Sequence, residues 1–552
     1  MKKQILIGVE FFDKIIEGDY FYIDKTLFIK ELLESKGEVT LITRPRRFGK
    51  TLNMSMLKCF FDVSMDNRHL FDGLKIMGCG DIVEKYMNNY PVVFITLKDV
   101  EFRTFSGSID KLRYLVSETY QQNLYLYESD KLSERQKSMF YTYYMGKATE
   151  SEMESALRFL MECLHTYYKK KVIILLDEYD APINNALMEG HYQEMIGFMR
   201  GFLGSVFKSN NFLEFGVLTG VLRVSKEGLV SGFNNPKVCG IFEDDFSACY
   251  GFTEEEVRHA CERHGYGDRF HDVRKWYDGY RFGSQEMYNP WSITQFLCSG
   301  KLRNYWVNTG SMTILQDIFF KGSASLKDDL AGLLTDTPIT MAYDEHITYP
   351  IQYESDDAFW SLMLSSGYIK PCAGEDSDES FRAELVNREV RNTFSRCIDL
   401  WFKRQQRAIH CTILEFVDYL LIGDAEGVCD TLNNKLLNNP SCHDYKEENS
   451  YHMFIFGILL AVSKDYTVLS NQESGKGRSD CVIKPGDKNS SAVIVEFKHV
   501  REESRDLKKE AQKGLSQIEE KAYIHNLKME GYEKIITYSI AFHKKSCEVA
   551  MG

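Results

Sequence analysis

Short, unbroken apolar runs mark the front of the chain: EVTLIT (38–43), PVVFITL (91–97), KVIILLD (171–177) and FLEFGVLTG (212–220). Runs of this length without polar alternation predict strands covered on both faces, as in a parallel sheet between helices. After the first run, apolar residues in LNMSMLKCFFD (52–62) recur at helical spacing. Between 286 and 430 the pattern is mostly that of amphipathic helices, in PWSITQFL, SMTILQDIFF, DDLAGLLT and NREVRNTFSRCIDLWFKRQQRAI. The back of the chain reads differently. A helix over 444–462 is followed by strands at DYTVLSNQES, RSDCVIK (478–484) and SAVIVEFKHV (491–500), a helix over 503–523, and a strand at KIITYSIAFH. Three segments are therefore expected: 1–285, 286–430 and 431–552.

Composition narrows the classes without choosing one. The 552 residues are 44% hydrophobic and carry a net charge of −13, which argues against a surface coated all round with nucleic acid. A local basic groove is still allowed. Of the 14 cysteines, no two lie closer than Cys239 and Cys249, so no C-x-x-C zinc or redox pair exists. Scattered thiols suit a reducing compartment, and the expected location is cytoplasmic. The opening MKKQILIGVEFFDK is broken by Glu10 and Asp13, too early for a secretory leader. MFIFGILLAV is well short of the ~18 apolar residues of a membrane span, so no membrane partner is expected.

Chemistry enters with TRPRRFGKTLNM (43–54), which lies between the first strand and its helix. Gly49, Lys50 and Thr51 match the end of a phosphate-binding loop, and strand–loop–helix is the context such a loop needs. The general pattern has glycine where this chain has Arg44. The backbone of Arg46, Arg47, Phe48 and Gly49 would cradle phosphates, Lys50 would reach the β- and γ-phosphates, and Thr51 would offer its hydroxyl to Mg²⁺. The third apolar run ends in Asp177 and Glu178, where α/β sheets place their ligands. Asp177 would hold Mg²⁺, and Glu178 would polarise an attacking water. Thr219 at the end of the next strand would sense the γ-phosphate, with Arg223 a weaker candidate. One of Arg44, Arg46 and Arg47 is expected to touch nucleotide or a neighbouring domain. Thr253 and Glu256 have capping-box spacing, a purely structural feature. Trp276, Tyr280 and Trp291 read as packing residues before base-stacking ones.

In the last segment Glu496 and Lys498 stand two apart on one strand and so share a face, with Phe497 turned away. Asp480 on the preceding strand can join them. Two carboxylates suit Mg²⁺, with Mn²⁺ as a substitute, and a lysine beside them can stabilise charge on phosphate. Glu448 and Gln517 are accessory candidates from the flanking helices. The basic residues of 498–513 are interleaved with acids and read as a solvated helix face.

YFYIDKTLFIKELLE (20–34), LITRPRRFGKTLNMSMLKCFF (41–61), LLDEYDAP (175–182), LTGVLRVSKEGLVSGFNN (218–235) and WYDGYRFG…MYNPWSI (276–293) resemble the bacterial AAA-ATPase-like family. GKGRSDCVIK…AVIVEFKH…LSQIEEKAY resembles the PD-(D/E)XK nuclease-like domain that accompanies that family. In that family arginine also takes the place of the loop's first glycine. The resemblance implies an α/β fold: an N-terminal AAA-like P-loop sheet with helices on both faces, a helical middle and a C-terminal restriction-endonuclease-like domain. It implies ATP and Mg²⁺ as cofactors and places Asp480, Glu496, Lys498 and Gln517 at the nuclease positions. The function expected is an ATPase that gates a Mg²⁺-dependent nuclease acting on nucleic acid, DNA before RNA. The alternative is a nucleotide-dependent switch or scaffold whose nuclease-like fold only binds. A homo-oligomer supplying an arginine in trans stays open.

Overall fold

The computed structural model describes residues 3–223, 236–306, 324–334, 336–343, 355–372, 380–395, 407–436, 455, 459, 466–474, 477–500, 506–520, 524–543 and 546–552. Contacts divide the chain into two compact units. The first comprises Met1–Trp306 and Thr340–Glu389, and the second Val307–Ile339 and Val390–Gly552.

In the first unit the apolar runs become one parallel sheet. Its strands are β1 (Val39–Thr43), β2 (Val92–Thr96), β3 (Val172–Asp177), β4 (Leu213–Gly220) and β5 (Lys237–Cys239). They stand in the order β2-β3-β4-β1-β5, with every neighbouring pair parallel. Every residue of β1 and β3 is buried, which explains why neither alternates in sequence. The core beneath β1 is built by the helix Lys50–Phe61, whose Met54, Met56, Leu57, Phe60 and Phe61 are fully covered. β4 separates β1 from β3. The loop after β1 and the acids after β3 therefore flank the end of β4, where Thr219 stands. The chain leaves β1 toward one edge of the sheet and β4 toward the other, so the crevice lies at a topological switch point.

Residues beyond the sheet complete this unit. Thr253 caps the helix Glu254–Arg263 with a full capping box, as its spacing predicts. β6 (Phe252–Thr253), β7 (Tyr280–Phe282) and β8 (Gln285–Tyr288) form a small sheet in the order β6-β8-β7. The middle of the chain is helical at Pro290–Ser299 and Asp356–Ser365, and it also carries a sheet that the helical pattern did not suggest. That sheet has β9 (Ile339–Met341), β10 (Ile369–Pro371) and β11 (Phe381–Leu385), in the order β10-β11-β9.

The second unit contains a mixed sheet of β12 (Tyr466–Ser474), β13 (Gly477–Pro485), β14 (Ala492–His499), β15 (Ile535–His543) and β16 (Ser546–Met551), in that order. Only β14 and β15 are parallel, and the helix Leu507–Glu520 lies between them in sequence, as a parallel crossover requires. Its Leu515 and Ile518 pack on Val482, Ala492 and Ile494. The strand expected at KIITYSIAFH is β15. β16 is an additional edge strand, not expected from SCEVAM, which is too short and mixed in polarity to announce itself. Most of the helix expected over 444–462 lies outside the described residues. No helix among the described residues is long and apolar enough to cross a membrane.

Candidate functional site

The crevice of the first unit is organised around one carboxylate. Asp177, at the end of β3, is fully buried and is bound by three hydroxyls. Thr51 donates to its Oδ2 at 2.7 Å, Thr96 to the same oxygen at 3.2 Å, and Thr219 to its Oδ1 at 2.5 Å. Each comes from a different element. Thr51 follows Lys50 at the helix start, Thr219 ends β4, and Thr96 is the register partner of Asp177 on β2. Burial pushes the Asp177 carboxyl above its ordinary range, the Thr219 and Thr51 hydroxyls pull it back, and Glu178 and Lys50 act in opposite senses. Thr96 was not singled out in the sequence. The register of two apolar runs ending in polar residues is the signal that could have found it.

The loop itself has the form a phosphate site needs. Gly49 takes φ +83°, and a Cβ placed there would meet nothing within 4 Å, so the helix start faces open space. No side chain caps that helix, which leaves its first N–H groups for a ligand. Lys50 is 4% exposed, and its ammonium donates to the carbonyls of Arg44 at 3.0 Å and Pro45 at 3.1 Å. Arg47 adopts φ +71° and Glu178 φ +52°, a conformation non-glycine residues avoid, and both lie in the loops that border the crevice. Free amides, a lysine, and a hydroxyl paired with a carboxylate are the donor set that ATP with Mg²⁺ would use: Lys50 for phosphate, Thr51 and Asp177 for the ion.

The three arginines of the loop divide sharply. Arg46 and Arg47 are exposed, but Arg44 is completely buried. Its Nη1 donates to the carbonyls of Thr43 at 2.8 Å, Cys239 at 2.9 Å and Gly240 at 2.5 Å, and its Nη2 to Asp245 at 3.4 Å. The guanidinium also lies 4.7 Å from the Phe282 ring centre. Desolvation pulls its pKa down, and nearby Tyr250 and Glu243 oppose the shift. Arg44 thus ties the end of β1 to the end of β5 and does not present its charge to a ligand. Phe48 is also turned inward, edge-on to Tyr280 and Phe282 at 4.8 and 5.1 Å. It can offer a phosphate only its backbone. Arg47 stacks over Trp291 at 4.4 Å. Tyr280, Phe282 and Trp291 therefore pack against the loop, and Trp276 packs instead on the cluster of Val257 and Val273.

One further group holds the crevice and was not expected. Asp180, buried, accepts the N–H groups of Val221 and Leu222, both at 3.0 Å, and so fixes the chain just beyond Thr219. Burial pushes its carboxyl up, and the nearby Glu178 charge pushes the same way. Arg223, the weaker candidate from the sequence, lines a small pocket with Thr43, Gly240 and Glu243. Elsewhere in this unit Glu254, Asp278 and Glu286 cluster within reach of one ion, but Arg274 is already paired to Glu254 at 3.4 Å and Asp278 at 3.3 Å. That group is an ion-pair cluster.

In the second unit the strand pairing Cys481–Val495 sets Asp480 across from Glu496. The Asp480 Oδ2 accepts the Phe497 N–H at 2.7 Å. Glu496 is 2% exposed, and its Oε1 accepts Lys498 Nζ at 3.1 Å and the Gln517 amide. Gln517 reaches it from the helix Leu507–Glu520 because that helix comes unusually close. A Cβ on Gly514 would lie 2.0 Å from the Ser539 hydroxyl, and Ser539 is the β15 partner of Glu496. Asp480, Glu496, Lys498 and Gln517 thus sit on neighbouring elements. Glu448 lies outside the described residues. Hard carboxylate oxygens beside a lysine fit a divalent ion held by Asp480 and Glu496.

Comparison with known families agrees with both geometries. Residues 6–230 match the model of a predicted AAA-ATPase, AAA-ATPase-like, and residues 446–551 match that of the PD-(D/E)XK nuclease superfamily. The chain carries an AAA-ATPase-like domain and a PD-(D/E)XK nuclease domain. The order of the two domains and the α/β fold of each are those the sequence motifs implied. Along nearly its whole length the chain is also similar to an uncharacterized protein in the vnfD 5' region of Azotobacter chroococcum mcd 1. The two are 25% identical over 560 residues, covering 99% of this chain and 98% of the relative. The ATPase-like match takes in the loop, Asp177, Glu178 and Thr219, and the nuclease match takes in Asp480, Glu496, Lys498 and Gln517.

Proposed function

We propose that this chain is an ATP-dependent nuclease, in which ATP binding and hydrolysis in the first unit govern Mg²⁺-dependent cleavage of DNA by the second. The observation that carries the reading is the convergence of Asp480, Glu496, Lys498 and Gln517 in one domain, alongside a complete Thr51–Asp177 pair in the other.

At the nucleotide, the amides of 46–49 and Lys50 bind phosphate, and Lys50 exchanges its two loop carbonyls for phosphate oxygens. Thr51 and Asp177 would hold Mg²⁺, which neutralises charge on the phosphates. Glu178 takes the proton of the attacking water, and Thr219, on Asp177, reports whether the γ-phosphate is present. At the DNA, Asp480 and Glu496 would hold a divalent ion, Mg²⁺ or Mn²⁺, that polarises the scissile phosphate. Lys498, oriented by Glu496, stabilises the charge that grows on it, and Gln517 fixes Glu496.

The net charge of −13 favours a second reading, a nucleotide switch whose nuclease fold only binds its partner. The ATPase half is tested by Lys50→Ala. ATP turnover is expected to fall at least tenfold, about 1.4 kcal/mol in the barrier, in protein that far-UV circular dichroism shows to be folded. Turnover equal to wild type would remove the loop from the mechanism.

A further inference from the structure

The nucleotide loop is held from behind by a chain of bonds that ends on a buried carboxylate. Glu389 is fully covered and accepts the Ser292 hydroxyl at 2.7 Å, the Trp306 N–H at 2.7 Å, and the Tyr305 N–H. A carboxylate this deep with three donors is a built feature, because an unsatisfied one would be expelled or neutralised. Burial pushes it up to about 7, against the pull of those donors.

Trp306 passes the connection forward. Its Nε1 donates to the Arg46 carbonyl at 3.1 Å. Asn289, which caps the helix Pro290–Ser299, donates to the same carbonyl at 3.4 Å. That carbonyl immediately precedes Arg47, the residue held at φ +71°. The conformation of the loop at the point where phosphate would sit is therefore set by Asn289 and Trp306, and Glu389 sets Trp306.

The second observation is topological. The chain passes out of the first unit directly after Trp306 and again directly after Glu389. The Trp306 N–H bond to Glu389 ties these two points together. Glu389 also belongs to a helical stretch, 388–395, which continues past the crossing with Val390 and Phe394 buried.

We propose that Glu389 is a positioning residue of the nucleotide loop, and that a change of loop conformation on nucleotide binding reaches both chain crossings through the Trp306–Glu389 bond. This rests on the nucleotide reading above and adds the route by which the ATPase-like unit would signal.

Amide hydrogen exchange of the full chain, with and without a saturating non-hydrolysable ATP analogue and Mg²⁺, tests it. In wild type the analogue is expected to slow exchange several-fold in peptides covering 44–51 and also in those covering 303–306 and 388–395. Trp306→Phe keeps an aromatic ring and the backbone N–H on Glu389 but loses the Nε1 donor. It should retain protection at 44–51 and lose it at 388–395, with a several-fold rise in the KM for ATP and a smaller change in kcat. Glu389→Gln keeps an acceptor for the Trp306 N–H and should restore most of the response that Glu389→Ala removes. Should Glu389→Ala fail to fold, Trp306→Phe decides the matter alone. Protection at 388–395 that survives in Trp306→Phe, or is absent in wild type while 44–51 is protected, overturns the proposal. Absence of protection at 44–51 in wild type instead overturns the nucleotide reading, and the proposal falls with it.

Discussion

Arg44→Ala is expected to destabilise the first unit by about 4 kcal/mol, the range seen when one partner of a buried charged network is removed. The substitution leaves the carbonyls of Thr43, Cys239, Gly240 and Asp245 without their shared donor. Each orphaned buried acceptor costs about 1–3 kcal/mol before relaxation. It also opens a cavity against Phe282 and Tyr250. Set against a typical domain stability of about 5–15 kcal/mol, that is a large fraction. Arg44→Lys keeps the charge but not the planar fork, and should recover only part of the loss. Arg46→Ala, on an exposed side chain two residues on, should stay within about 0.5 kcal/mol. The check is the urea midpoint of the transition that reports the first unit. Equal midpoints for Arg44→Ala and Arg46→Ala would show that Arg44 does not tie β1 to β5.

Glu496→Gln is expected to abolish DNA cleavage, by about a thousandfold or more, which is about 4 kcal/mol of transition-state stabilisation. The new amide has the same volume and can still accept from Lys498 and Gln517, so the fold should hold. What it loses is the negative charge that a divalent ion needs. A plasmid-nicking assay in Mg²⁺ and Mn²⁺ checks this, with far-UV circular dichroism as the control for folding. Cleavage by Glu496→Gln at the wild-type rate would remove this carboxylate from the chemistry.

Both domains were legible because their signals are local. An unbroken apolar run followed by G-K-T, or by two acids, places strand, loop and charge within a dozen residues, and burial on both faces of the sheet produces that run. The two-residue period of a strand puts Glu496 and Lys498 on one face, and the family resemblance points to the same pair. What stayed hidden depends on contacts distant in sequence. Arg44 stood with Arg46 and Arg47 as a residue that could touch nucleotide or a neighbouring domain, and only the carbonyls of 239–245, some 200 residues away, make it a buried structural residue. Trp306 and Asn289 meet the Arg46 carbonyl across 260 and 243 residues, and no spacing rule joins them. Thr96 and Asp180 act through strand register and through backbone amides of another strand's end, which a single sequence does not display.

The central claim is that nucleotide in the first unit governs chemistry in the second. It is tested most directly by the rate of DNA cleavage in Mg²⁺ with and without ATP, for wild type and Lys50→Ala side by side. The account predicts that ATP changes the wild-type rate at least tenfold and leaves the rate of Lys50→Ala unmoved. A wild-type rate that is the same with and without ATP, from protein that turns ATP over, would contradict it.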